Sequence, residues 1–248
     1  MNELLRVALV GLVAGVAGTG LGGVITACFA RPDKRVFSTL LGFSAGIMIS
    51  VVAFDLMPEA LELAPVWWGL AGLLLGVLVL TLVDLLVPHI HFLSDDLESS
   101  RYVRASLFVG LGIAMHNLPE GLAIGAGFGA SERFGTGIAV LMALQNFPEG
   151  MAMGAPMVLA RVKYRTIILA TAAAGLPMGA GAILGYLAGG LSPLVLALAL
   201  GFAGGAMLFV VCDELIPDAQ ELRVGHSGTF GIILGVVTGI LVSTLLRT

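Results

Sequence analysis

Eight long apolar runs dictate what this chain can become. They lie near residues 4–29, 36–61, 66–88, 103–128, 133–159, 165–189, 193–218 and 227–247. Each exceeds the roughly 20 residues that a helix needs to cross the hydrocarbon core of a bilayer. In lipid every backbone N–H and C=O must find a partner inside the protein, which leaves helices or closed barrels. The two-residue alternation of a barrel strand is absent, so the runs predict helices. Composition points the same way: charged residues are 11% of the 248, apolar residues 58%, and Gly occurs 35 times. A soluble domain is about one-quarter charged, so these few charges could not keep a surface wet. Abundant glycine suits helices packed closely in lipid. The expectation is an all-α integral membrane protein, eight transmembrane helices in one domain over 1–248, with the lipid bilayer as its first partner. No basic patch suggests nucleic acid, and the first run reads as a retained helix rather than a cleaved signal.

Charge asymmetry sets the orientation. Arg31, Lys34, Arg35, Arg101, Arg104, Arg161, Lys163, Arg165 and Arg223 fall in one set of loops, and Arg6, Arg133 and Arg247 on the other side. By the positive-inside rule the first set faces the cytoplasm, which leaves both termini outside. The 89–102 loop, with His89, His91, Asp95 and Asp96, is then cytoplasmic. Cys28 and Cys212 lie far apart in apolar segments and read as buried free thiols.

Two internal repeats run through these helices. Gly42-Phe43-Ser44-Ala45-Gly46-Ile47-Met48 in the second run matches Gly201-Phe202-Ala203-Gly204-Gly205-Ala206-Met207 in the seventh. The match continues from Asp55-Leu56-Met57-Pro58-Glu59 to Glu214-Leu215-Ile216-Pro217-Asp218, at a constant offset of 159 residues. The second run heads outward and the seventh inward, so the repeat is inverted, as in many secondary transporters. This predicts a 3+2+3 bundle, with the first three and last three helices as related halves. Asp55 and Glu59 then sit towards the outer end of one helix, and Asp213, Glu214 and Asp218 towards the inner end of the other. A cation crossing the protein would meet carboxylates at both mouths.

The second repeat lies between those halves. Met115-His116-Asn117-Leu118-Pro119-Glu120-Gly121 recurs 29 residues later as Leu144-Gln145-Asn146-Phe147-Pro148-Glu149-Gly150. Residues four apart share a helix face, which pairs His116 with Glu120 and Gln145 with Glu149. Two carboxylates at mid-bilayer repel and protonate unless something positive lies between them. A divalent cation answers that problem. Imidazole, carboxylate and amide donors suit Zn(II), Fe(II), Mn(II) or Cd(II) better than Ca(II) or Cu(I). Pro119 and Pro148 each remove a helical hydrogen bond at the polar segment, so the helices should kink there. Asn117 and Asn146 point about 100° from their neighbours on an ideal helix, towards a second site or a supporting contact.

His116-Asn117-x-Pro119-Glu120-Gly121 on the fourth of eight helices resembles the signature of the ZIP (Zrt/Irt-like protein) metal transporters of bacterial type. Asn146-x-Pro148-Glu149-Gly150 on the fifth resembles its partner motif, and the likeness covers essentially the whole chain. The resemblance implies a carrier, not an enzyme, that imports divalent metal across the inner membrane, zinc foremost, with no organic cofactor. It implies His116, Glu120, Gln145 and Glu149 as primary ligands, Met48 as a further one, and Asn117 and Asn146 at an adjacent site sharing the carboxylates. It also implies a metal-handling role for the His89 and His91 loop. The chain departs from the family pattern in three places. Gln145 stands where many members have His, Asn146 where some have Asp, and the 174–178 stretch, with Leu176 nearest, lacks an acid common in bacterial members. One strong metal site with at most a weak second is therefore expected. The glycine-rich helices are compatible with a homodimer.

Two other function classes fit an intramembrane polar centre. A metal-dependent hydrolase would use a metal-activated water, but no H-E-x-x-H is present and carboxylates and an amide outnumber the one His. A proton-coupled carrier of organic solutes would bind no metal.

Overall fold

A computed structural model describes residues 2–28, 33–86 and 98–247. His89, His91, Asp95 and Asp96 lie outside the described residues. The described residues are helical, with no strand among them. We label the helices α1 (Glu3–Cys28), α2 (Lys34–Leu63), α3 (Val66–Leu86), α4 (Glu98–Ala130), α5 (Glu132–Leu159), α6 (Tyr164–Gly189), α7 (Pro193–Glu221) and α8 (Ser227–Arg247). Six of them, α1, α2, α3, α6, α7 and α8, are long and apolar enough to cross a membrane by length and composition. The motif-bearing α4 and α5 are not among the six.

Local sequence explains how the helices begin and break. Ser131 stands alone between α4 and α5, and its hydroxyl accepts from Phe134 N at 3.2 Å, capping α5. Ser192 does the same for α7, accepting from Val195 N at 3.2 Å ahead of Pro193. An N-cap hydroxyl satisfies a donor that has no partner inside the helix. α6 breaks at Gly175-Leu176 and restarts at Pro177. α2 and α7 each contain a wide π-helical turn, at Val51–Leu56 and Val211–Leu215. Pro58 and Pro217 follow these turns. A proline ring collides with the carbonyl four residues back and supplies no N–H, and one wide turn absorbs both defects.

The packing mirrors the 159-residue repeat. α4 packs chiefly on α6 and α5 on α1, while α2 packs on α8 and α3 on α7. Exchanging the first three helices with the last three, and α4 with α5, leaves that pattern unchanged. The correspondence holds residue by residue. The backbone of Gly42 faces the Gly228 carbonyl and that of Gly201 faces the Gly69 carbonyl. Gly121 abuts Met178, and Gly150 abuts Thr19. Met178 and Thr19 are themselves 159 residues apart. The two thiols depart from the sequence reading. Cys28 and Cys212 are free but exposed, because each sits on the outward face of its helix instead of in the core.

The motif glycines leave no room for a side chain. A Cβ on Gly150 would stand 2.0 Å from the Thr19 carbonyl oxygen, whereas one on Gly112 meets nothing within 4 Å. Overpacking of this kind costs about 1–3 kcal/mol, and more when the obstacle is backbone. Gly150→Ala should therefore lower the melting temperature of the detergent-solubilised protein measurably. Gly112→Ala should stay within about 0.5 kcal/mol of the parent.

Candidate metal centre

α4 and α5 bring both copies of the motif to one buried cluster. His116, Asn117, Glu120, Gln145, Asn146 and Glu149 are all buried, none more than 6% exposed. Such burial is costly for a polar group without a partner, so the contacts decide what the cluster can do. Gln145 Nε2 donates to Glu120 Oε1 at 2.5 Å. Its other amide atom, Oε1, is buried without a hydrogen-bond partner. Ser44 on α2 donates to Glu149 Oε1 at 3.2 Å and lies 3.1 Å from the Gln145 carbonyl.

The Asn146 amide lies between the two carboxylates. One of its terminal atoms is 3.0 Å from Glu120 Oε2 and 3.2 Å from Glu149 Oε2, and the other is 3.2 Å from Asn117 Oδ1. With nitrogen towards the carboxylates, Asn146 donates to both and ties them together. With oxygen there, three acceptors converge, an arrangement that requires a proton or a cation among them. A half-turn of one amide thus separates a cluster satisfied by itself from one prepared for a cation.

His116 Nε2 lies 3.1 Å from Glu214 Oε1. Glu214 belongs to the π-helical turn of α7, so the bulge carries a carboxylate to the paired motif. Met48 is fully buried one helical turn after Ser44. Asn117 points to the other side, where its amide donates to the Ala174 carbonyl at 2.9 Å, at the break in α6. Met178 Sδ is 3.8 Å from Asn146 Nδ2. Leu176, within that break, is exposed.

The other acids named from sequence lie apart from this cluster. Asp55, in the α2 π turn, is buried and accepts from Ser243 of α8 at 2.5 Å. Arg133 and Phe134 line the same small pocket. Glu59 is partly buried one turn further on, and Asp213 and Asp218 are exposed. Among the described residues no three His, Cys, Asp or Glu side chains gather as a metal-holding group. Any ion at the motif would lean on amide oxygen as well as carboxylate.

Sequence reasoning passed over Ser44 and Met178. The repeat offered a signal for Ser44: its counterpart in the seventh run is Ala203, so the hydroxyl is one of the points where two otherwise similar copies differ. Met178 lay one residue beyond Pro177, in a stretch read only for its missing acid.

The class is that of a helical membrane protein with a buried polar centre between two proline-containing helices. A family model described as ZIP Zinc transporter matches residues 92–247. The zinc transporter ZupT of Enterobacter sp. (strain 638) is 33% identical over 247 residues, spanning 96% of this chain and 95% of that protein. That of Salmonella newport (strain SL254) is 33% identical over 237 residues, 91% of each. The chain belongs to the ZIP family.

Asn117 links α4 to both α5 and α6 from a wholly buried position. Removing a buried hydrogen-bond partner leaves the opposing group unsatisfied, at about 1–3 kcal/mol. Asn117→Ala should destabilise the folded protein by that amount in a denaturation series, whether or not metal is added.

Proposed function

We propose that this protein is a secondary carrier of divalent transition-metal ions, zinc foremost, with iron, manganese and cadmium as alternatives. The ion sits between α4 and α5 near the membrane midplane, held by His116, Glu120, Gln145 and Glu149, with Met48 alongside. Asn117 and Asn146 support this site and share the carboxylates with a weak second one. The observation that carries the reading is the convergence of Glu120, Glu149 and Asn146, beside the unpartnered Oε1 of Gln145. Two buried carboxylates and the unpartnered amide oxygen of Gln145 offer oxygen ligands to a cation, a half-turn of the Asn146 amide adds another, and His116 adds a nitrogen that favours a transition metal.

All eight helices span the membrane in this reading, as one transport domain over residues 1–248 in a 3+2+3 inverted repeat. The exchange symmetry of the glycine contacts and the paired π turns support it. So does the chemistry of α4 and α5, where polar side chains facing the bundle interior are those expected of a substrate path. Asp55 and Glu59 serve the outer approach, with the termini outside. Glu214, Asp213, Asp218, His89 and His91 serve the cytoplasmic exit.

Import follows from energetics. The membrane potential contributes about 4.6 kcal/mol per 100 mV to inward movement of a dication, twice the single-charge value. The hydrolase reading lacks support: no H-E-x-x-H is present, and carboxylates and amides outnumber the one His of the cluster.

Reconstituted in vesicles with an inward-negative potential, the protein should accumulate zinc, and uptake should collapse in His116→Ala and Glu149→Ala. Normal flux in both variants would overturn the assignment. Ser44→Ala leaves every ligand in place and removes the hydroxyl that donates to Glu149 Oε1 and contacts the Gln145 carbonyl. It should weaken zinc binding about tenfold, the lower end for loss of an outer-shell partner, as read by equilibrium titration.

A further inference from the structure

An open apolar groove runs between α1 and α5, with a volume of about 390 Å³. Such a volume lies within the roughly 300–1,000 Å³ of small-molecule pockets. Leu9, Val10 and Val13 form one wall, Val140 and Ala143 the other, and Arg6 closes one end. Val13 is 60% exposed and Val140 40%, so the groove opens outward from the bundle. Its charged end has a definite construction. Arg6 Nη1 pairs with Glu132 Oε1 at 2.6 Å and Nη2 with Glu3 Oε2 at 2.9 Å, while the guanidinium lies 5.7 Å from the Phe128 ring centroid. Arg6 Nε is buried and has no hydrogen-bond partner among the described residues. The two carboxylates are largely exposed, at 70% and 61% of their side chains.

We propose that this groove is a binding site for an ethanolamine phospholipid. One acyl chain lies along the wall from Arg6 to Ala143, and the headgroup sits at the charged end. The phosphate lies against the exposed edge of the Arg6 guanidinium, whose side chain is 33% exposed, and is favoured by the adjoining N-terminal ends of α1 and α5. The ammonium lies against the exposed carboxylates of Glu3 and Glu132. Charge complementarity selects this headgroup. A purely anionic lipid would set its charge beside two carboxylates with only one guanidinium between them. A choline headgroup fills the same position with a bulky cation that cannot donate hydrogen bonds. The far end of the groove, at Ala143, is two residues from Gln145, so the lipid braces the part of α5 that carries the polar cluster.

Native mass spectrometry of the purified full chain with dioleoyl phosphatidylethanolamine, phosphatidylcholine or phosphatidylglycerol tests this without reference to transport. The expected result is one ethanolamine lipid per protomer retained under activation that strips the other two. Retention should drop at least tenfold in Val140→Trp and, from the opposite wall, in Val13→Trp, both verified as folded by circular dichroism. Arg6→Gln should abolish the preference for ethanolamine over glycerol headgroups. Equal retention of all three lipids, or undiminished retention in both tryptophan variants, would overturn the proposal. So would disulfide cross-linking of Val13→Cys to a second copy in ethanolamine-lipid vesicles, which would show the groove covered by protein.

Discussion

Two carboxylates buried side by side, Glu120 and Glu149, are the constraint on which the rest of the bundle depends. Moving an ion out of water costs several kcal/mol even after relaxation, and two like charges add their repulsion. The fold answers with donors drawn from different helices. Gln145 reaches Glu120 from α5, and Ser44 reaches Glu149 from α2. Asn146 lies between the two acids. None of these contacts survives a loose bundle, so the close approach of α4 and α5 to α6 and α1 is a requirement of the polar centre. The motif glycines at 121 and 150 serve it directly, since the backbones they abut could not come as near to any other residue.

The doubled architecture gives that centre two dissimilar flanks. The π turns of α2 and α7 occupy corresponding positions, yet Asp55 is buried against Ser243 while Glu214 extends to His116. The same local defect, imposed by a following proline, has been used to aim one acid into a bundle seam and another at the paired motif. Ser44 and its counterpart Ala203 show the same divergence. A repeat supplies matched scaffolding, and single substitutions within it decide which side chains reach the centre.

Much of this was legible beforehand. Apolar runs marked each helix to within a few residues, because lipid leaves the backbone few options. His116, Glu120, Gln145 and Glu149 were brought together as their four-residue spacing implied. Burial of the thiols was misjudged at Cys28 and Cys212, since an apolar helix segment does not reveal which of its faces turns outward. The angle of Asn117 pointed to a second site or a supporting contact without choosing between them. Its amide donates to the Ala174 carbonyl, a partner created by a break in α6 that sequence spacing does not encode.

By itself the sequence determined the helical class, the 159-residue repeat and the pairing of like motifs, because periodicity, proline and hydropathy act locally along a chain. Only the tertiary structure decided which donors satisfy each buried acid. Ser44 with Glu149, Glu214 with His116 and Ser243 with Asp55 join residues about 100 or more apart. Their meeting depends on how helices pack at glycine contacts and on how a π turn rotates the face beyond it, and no rule of local spacing contains either.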